Sequence, residues 1–144
     1  MLKSMAKLNL KIATPEKEIL NETGIDSITL PTTAGEITIL PEHIPLISGL
    51  SSGEITYKKD NQKFYLAVTQ GFLRLDKEGN LLLLADYAVR SEDVVVEEAE
   101  AAKKRAETVM KERPSEEDMV LAEAELRKAL LDIKISQRKR NIKI

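Results

Sequence analysis

Cysteine and tryptophan are both absent from the 144 residues, and histidine occurs once. Without cysteine the chain has no disulfide framework, no thiol nucleophile and no thiolate-bound zinc. With a single histidine a Ser-His-Asp triad is possible but a multi-histidine metal site is not. Aromatic residues make up 3%, too few for a surface that stacks on bases or sugars. Charge of neither sign dominates: 22 Lys and Arg stand against 24 Asp and Glu, so the basic excess of a nucleic-acid partner is missing. No apolar run approaches the roughly 20 residues that span a bilayer. The opening Met1-Leu2-Lys3-Ser4-Met5 has no secretory apolar core. What remains is a hydrophobic content of 42%, ordinary for a soluble globular protein. A non-catalytic chain without cofactor, nucleic-acid partner or membrane insertion is expected.

Charge density divides the chain. Residues 1–90 hold 10 basic and 11 acidic side chains; residues 91–144 hold 12 and 13 in little more than half the length. All six glycines and every proline except Pro114 fall in the first part. A boundary near Arg90 is expected, giving domains 1–90 and 91–144.

The first part has the two-residue period of strands. Leu8, Leu10 and Ile12 alternate with Asn9 and Lys11, and Ile28 and Leu30 alternate with Ser27 and Thr29. Phe64, Leu66 and Val68 repeat the pattern, and Ile37 and Ile39 shorten it. Turn residues punctuate these runs at 33–35, 51–53, 59–62 and 76–80. The run Leu81-Leu82-Leu83-Leu84 is too short for a typical helix and reads as a buried strand. Short strands at about ten-residue spacing predict an antiparallel sandwich or barrel.

The second part has helical spacing. Ser91 is a candidate cap for a first helix, with Glu92 and Asp93 favourable against its dipole. Its inner stripe is Val95, Ala99, Ala102, Ala106 and Val109. Pro114 ends it, and Ser115-Glu116-Glu117-Asp118 resembles a capping box with Asp in the acceptor position. A second stripe follows at Met119, Ala122, Leu126, Ala129 and Ile133. Two such helices with a short connection predict an antiparallel hairpin. The stripes are largely alanine, which buries little apolar area at about 25 cal/mol per Å². The hairpin should therefore be weakly held and able to open or move on a stable β module.

Candidate chemistry is sparse. His43 lies in Leu40-Pro41-Glu42-His43-Ile44-Pro45, a loop stiffened by its prolines, with no serine in a nucleophile elbow. A structural or interface role fits it better than a hydrolase would. No glycine pattern forms a phosphate-binding loop. The segment from Lys134 onward carries Lys134, Arg138, Lys139, Arg140 and Lys143 and no acid. Two readings of it stand: a docking face for an acidic partner, or a solvated terminus whose cations suit the helix dipole.

The stretch Gly35-Glu36-Ile37-Thr38-Ile39-Leu40-Pro41-Glu42-His43-Ile44-Pro45-Leu46 resembles the G-E-x-x-I-L-P-x-H-x-P-L pattern of the epsilon subunits of bacterial-type F-type ATP synthases, called delta in mitochondria. Gly53-Glu54-Ile55, Gly71-Phe72-Leu73 and Leu84-Ala85-Asp86 support the resemblance, which covers nearly the whole chain. It implies an all-β sandwich followed by an antiparallel α-helical hairpin, in a non-catalytic central-stalk subunit that turns with the rotor. The implied partners are the gamma subunit, the c-ring and the alpha and beta catalytic subunits, with one copy per complex. The implied location is peripheral, on the cytoplasmic face of a bacterial plasma membrane. Glu36, Pro41, Glu42 and His43 would form a loop facing the c-ring. The hairpin would lie folded on the sandwich or extend into the catalytic head to block ATP hydrolysis, with Lys134, Arg138, Lys139 and Arg140 meeting an acidic segment of the beta subunit.

One departure matters. Some members of that family bind ATP through an [I/L]-D-x-x-R-A motif at the start of the first helix. The matching stretch here is Val94-Val95-Val96-Glu97-Glu98-Ala99, with Val95 at the Asp position and Glu98 at the Arg position. A carboxylate in place of a guanidinium repels phosphate, so absent or weak ATP binding is expected. From a different functional class, a free-standing adaptor docking through the hairpin is the competing reading; co-purification with gamma and the catalytic subunits separates the two.

Overall fold

The computed structural model describes residues 6–141. It divides into two compact units, 1–90 and 91–144.

Among the described residues the first unit has ten strands: β1 (Leu8–Ala13), β2 (Glu18–Ile25), β3 (Ser27–Thr32), β4 (Gly35–Ile39), β5 (Leu46–Leu50), β6 (Gly53–Lys59), β7 (Gln62–Val68), β8 (Gly71–Leu75), β9 (Asn80–Ala85) and β10 (Ala88–Arg90). They pair in the order β10-β7-β6-β3-β5-β8-β9-β1-β2, with β4 beside β3. All pairings are antiparallel except β1 with β9. The sheet curls back on itself, bringing its end strand β2 against β6 and β10. Lys59 at the end of β6 donates to Glu22 of β2 at 2.7 Å, which holds the Lys59 ammonium above its ordinary pKa. Alternating side chains then face one interior. Leu8, Leu10, Ile12, Ile28, Leu30, Ile39, Leu66, Val68, Leu73 and Leu83 are all fully buried there.

Local chemistry explains several joints. Pro31 sits inside β3 without breaking it, because β3 pairs with β6 through Ser27–Thr29 and with β5 at Thr32, and Pro31 falls at the changeover. Asp60 and Asn61 both adopt positive φ, 53° and 65°, the two-residue turn that matches the twist of β6 and β7. Gly71 permits a close approach of strands: a Cβ there would lie 1.9 Å from the Leu84 carbonyl oxygen and 2.8 Å from Ala85 Cα. Gly71→Ala must push β8 and β9 apart, so we expect a loss of about 1–3 kcal/mol. Urea unfolding of the full chain measures it; an unchanged midpoint would contradict the packing described.

The Leu81–Leu84 run is a strand, as expected, but it is buried on one face only. Leu81 and Leu83 enter the core, whereas Leu84 is 51% exposed. In an antiparallel sandwich one face of each strand looks outward, so four successive leucines cannot all be interior.

The second unit begins with a 3-10 turn at Ser91–Asp93, followed by α1 (Val96–Lys111) and α2 (Glu116–Asn141). Ser91 does not cap α1. It is buried, its carbonyl accepts the Val94 N–H, and the α-helix opens four residues later at Val95, whose side chain offers no acceptor. Glu97 and Glu98 supply the acidic first turn instead. Ser115 does cap α2: its Oγ accepts the Asp118 N–H at 3.1 Å. Between the helices Arg113 takes a left-handed φ of 51° ahead of Pro114, which stops α1. Arg105 and Glu125 face each other across the antiparallel pair at 3.5 Å.

The inner stripes are alanine at their centres. Ala99 and Ala106 of α1 and Ala122 and Ala129 of α2 are buried. The stripe ends differ from expectation: Val95, which precedes the first residue of α1, and Val109 are exposed. Burial also widens along the C-terminal half of α2, taking in Asp132, Ile135 and Ser136, with the Ser136 hydroxyl donating to the Ile133 carbonyl at 2.7 Å.

Candidate docking surfaces

Three surfaces carry the residues in question, and none is a catalytic cleft. The first is the connection from β4 to β5, residues 40–45. Glu42 takes a φ of 72°, a left-handed turn braced by the His43 N–H bonding to the Leu40 carbonyl at 3.1 Å. The His43 ring Nδ1–H donates to the carbonyl of Ile44 at 2.6 Å. The ring is thus a brace within its own loop, exposed to solvent.

Glu36 does not belong to that loop. It stands at the opposite end of β4, beside the 33–34 turn, where Thr32 Oγ accepts the Ala34 N–H and donates to the Gly35 carbonyl. Glu36 lies near the start of β4 and Glu42 beyond its end, with about 10 Å of strand from Glu36 to Ile39 at ~3.3 Å per residue. The expected four-residue set therefore splits: Pro41, Glu42 and His43 form one tip, and Glu36 another. The cause is that Ile37 and Ile39 build a true strand between them, with Ile39 in the core.

The second surface escaped the sequence reading. On the outward face of β5, β8 and β9, Phe72 lies directly across from both Gly49 and Leu84. Ile47 stands next to Arg74, one step along the same strands. Ile47 is 77% exposed and Phe72 69% exposed. Large apolar side chains gathered on an outer sheet face make it a candidate interaction site rather than a core. A signal for it was available. Leu46-Ile47, Phe72-Leu73 and Leu81–Leu84 are apolar at both parities of a strand, so one parity has to face outward.

The third surface is the hairpin. Val95 precedes α1 and Glu98 lies on its exposed first turn, with the Glu98 N–H bonded to the Val95 carbonyl at 3.1 Å. The two positions are thus brought together at the helix start, presenting an apolar side chain and a carboxylate. At the far end of α2, Lys134 and Arg138 are one helical turn apart and share a face. The side chains of Lys139 and Arg140 lie outside the described residues.

Comparison with known proteins follows the same division. Residues 7–91 match the family described as ATP synthase, Delta/Epsilon chain, beta-sandwich domain, and residues 92–137 match its long alpha-helix domain. The ATP synthase epsilon chain of Desulforamulus reducens is 40% identical over 134 residues, covering 92% of this chain and all of that one. The epsilon chain of Moorella thermoacetica is 40% identical over 131 residues, covering 90% and 96%. Among solved structures, a chain of the Euglena gracilis mitochondrial ATP synthase superposes with a TM-score of 0.71 at 21% identity, covering 93% of this chain and 81% of that one. At that identity the likeness shows a shared fold.

Proposed function

As a member of the ATP synthase delta/epsilon chain family, this chain is a non-catalytic subunit of the central stalk, and we propose that its sandwich seats on the gamma subunit through the face of Ile47, Phe72 and Leu84. The single observation behind this seat is that outward apolar face, whose exposed Phe72 and Ile47 need a protein cover. The tip of Pro41, Glu42 and His43 is then assigned to the c-ring. Its left-handed turn and internal hydrogen bonds keep polar groups in a stiff projection, suited to transmitting torque to the polar loops of a ring. Glu36 makes a second, separate contact from the other end of β4.

The hairpin acts as a brake on ATP hydrolysis. Its alanine-centred stripe holds the two helices loosely, and Lys134, Arg138, Lys139 and Arg140 meet an acidic segment of the catalytic beta subunit when it extends. One copy per complex serves, peripheral to the membrane on the cytoplasmic face of a bacterial plasma membrane. Among the described residues no helix is long and apolar enough to cross a bilayer. The usual ATP site is not used: Glu98 at the start of α1 opposes a phosphate. Titration calorimetry of the isolated chain with ATP should show no binding at micromolar concentrations; a micromolar constant would overturn this. The rotor role is tested by joining the chain covalently to gamma and measuring turnover. An adaptor working apart from the synthase lacks support from family membership, and would not form that link.

A further inference from the structure

We infer that the docking face carries a cationic anchor, formed by Arg74 and Lys11, that receives a carboxylate of the partner covering Ile47, Phe72 and Leu84. The inference rests on the proposed docking of gamma and adds the chemistry of the contact.

Strand register supplies the geometry. Ile47 lies across from Arg74, Arg74 from Leu82, Leu82 from Lys11, and Lys11 from Asn21. These five residues form one straight row over five strands on the outward face. The adjacent row is Gly49, Phe72, Leu84 and Ala13. The cations are therefore two strands apart, about 10 Å at the backbone, with Leu82 as the floor between them. Their long side chains can converge on a group seated above Leu82. The surface there is concave, a hollow of about 300 Å³ lined by Lys11, Arg74, Leu82, Asn9, Asn80 and Asp76 among others.

The neighbouring polar groups have their own partners, which leaves Arg74 available. Asp76 accepts from the backbone N–H of Glu78 and of Asn80 and from the Asn80 side chain. Those bonds, the Asn80 ones first, hold its carboxyl below the ordinary range, with Arg74 a minor contributor. Asn9 donates to Asn80 at 2.7 Å. Lys11 is near Glu18 at 3.5 Å, an exposed pair of the kind worth little and easily exchanged. Arg74 makes no hydrogen bond or ion pair among the described residues. A guanidinium with a free fork beside an apolar patch is the arrangement that grips a carboxylate once a partner excludes water. A phosphate fits less well, since Asp76 on the rim repels a second negative charge and a small anion has no use for the adjoining apolar row.

The test measures binding of the full chain to its native gamma subunit by calorimetry at ~0.05 M and ~0.5 M salt, for wild type, Arg74→Glu and Phe72→Ser. Arg74 is exposed, so reversal should leave the fold intact, which circular dichroism checks. The anchor predicts at least about tenfold weaker binding for Arg74→Glu at low salt, with the gap narrowing at high salt as charges are screened. Phe72→Ser should weaken binding alike at both. Arg74→Glu binding within twofold of wild type at low salt, with Phe72→Ser impaired, overturns the anchor and leaves the docking face standing. Both variants binding normally overturns the docking face as well. Impairment by Arg74→Glu alone keeps the anchor and removes the apolar seat.

Discussion

Removing residues 91–144 from the assembled complex is expected to raise its ATP hydrolysis about tenfold while leaving assembly intact. The magnitude is that of a small energy gap between two hairpin positions, which the alanine stripe permits. Ala99, Ala106, Ala122 and Ala129 are the buried centre of the helix pair, and each contributes little apolar area. A folded and an extended hairpin then differ by small energies that contacts in the complex decide. If those contacts favour the blocking position by about 1.4 kcal/mol, roughly nine molecules in ten are blocked, and deletion frees them. Assembly survives because the core of β1–β10 is complete within residues 1–90. Steady-state hydrolysis of intact and truncated complexes makes the comparison. An unchanged rate in a fully assembled truncated complex would leave the hairpin without a braking role.

Phe72→Asp is expected to weaken binding to gamma by ~30-fold to 1000-fold, equal to about 2–4 kcal/mol for an aromatic at the centre of an interface. The same substitution should leave the chain's own stability within about 0.5 kcal/mol, because the side chain already lies largely in solvent, across from Gly49 and Leu84. Core residues behave in the opposite way: a change at Leu73, one position along the strand and fully buried, would lower stability first. Affinity and thermal unfolding measured on one preparation separate the two. A destabilised Phe72→Asp with normal affinity would place the side chain in the core and dissolve the interface.

Much of the fold is legible from period and punctuation. Strands β1, β3, β4 and β7 follow from alternating apolar residues, and the turns from Gly, Asn and Asp between them. The cap of α2 follows from Ser115, whose hydroxyl bonds where the pattern says it should. The start of α1 does not follow. Ser91 has the composition of a cap, but burial draws it into a 3-10 turn and the helix opens at a valine. Composition names a residue able to cap; tertiary packing decides whether its oxygen faces the helix.

The functional surfaces were legible in part. The Gly35–Leu46 stretch contains both candidate tips, yet it conceals that Glu36 and His43 lie toward opposite ends of β4. The apolar face was hidden for a different reason. Hydrophobicity alone does not tell a leucine that fills a core from one that awaits a partner, and Leu83 and Leu84 are neighbours with opposite fates. Only the strand's parity, fixed by pairing with β1 and β8, assigns Leu84 to the outside. The row joining Arg74 to Lys11 is less visible still, since 62 residues of sequence lie between them and register alone brings them into line.

The rotor role is tested most directly by a disulfide between this chain and gamma. With no cysteine of its own, the chain accepts one at Ile47, opposite a cysteine placed on the covering surface of gamma. If the two turn together, the cross-linked complex hydrolyses and synthesises ATP at rates within about twofold of the reduced form, because the link joins parts that never move past one another. Loss of turnover on oxidation, restored by reductant, would mean that the chain stands still while gamma rotates, and would contradict a place in the rotor.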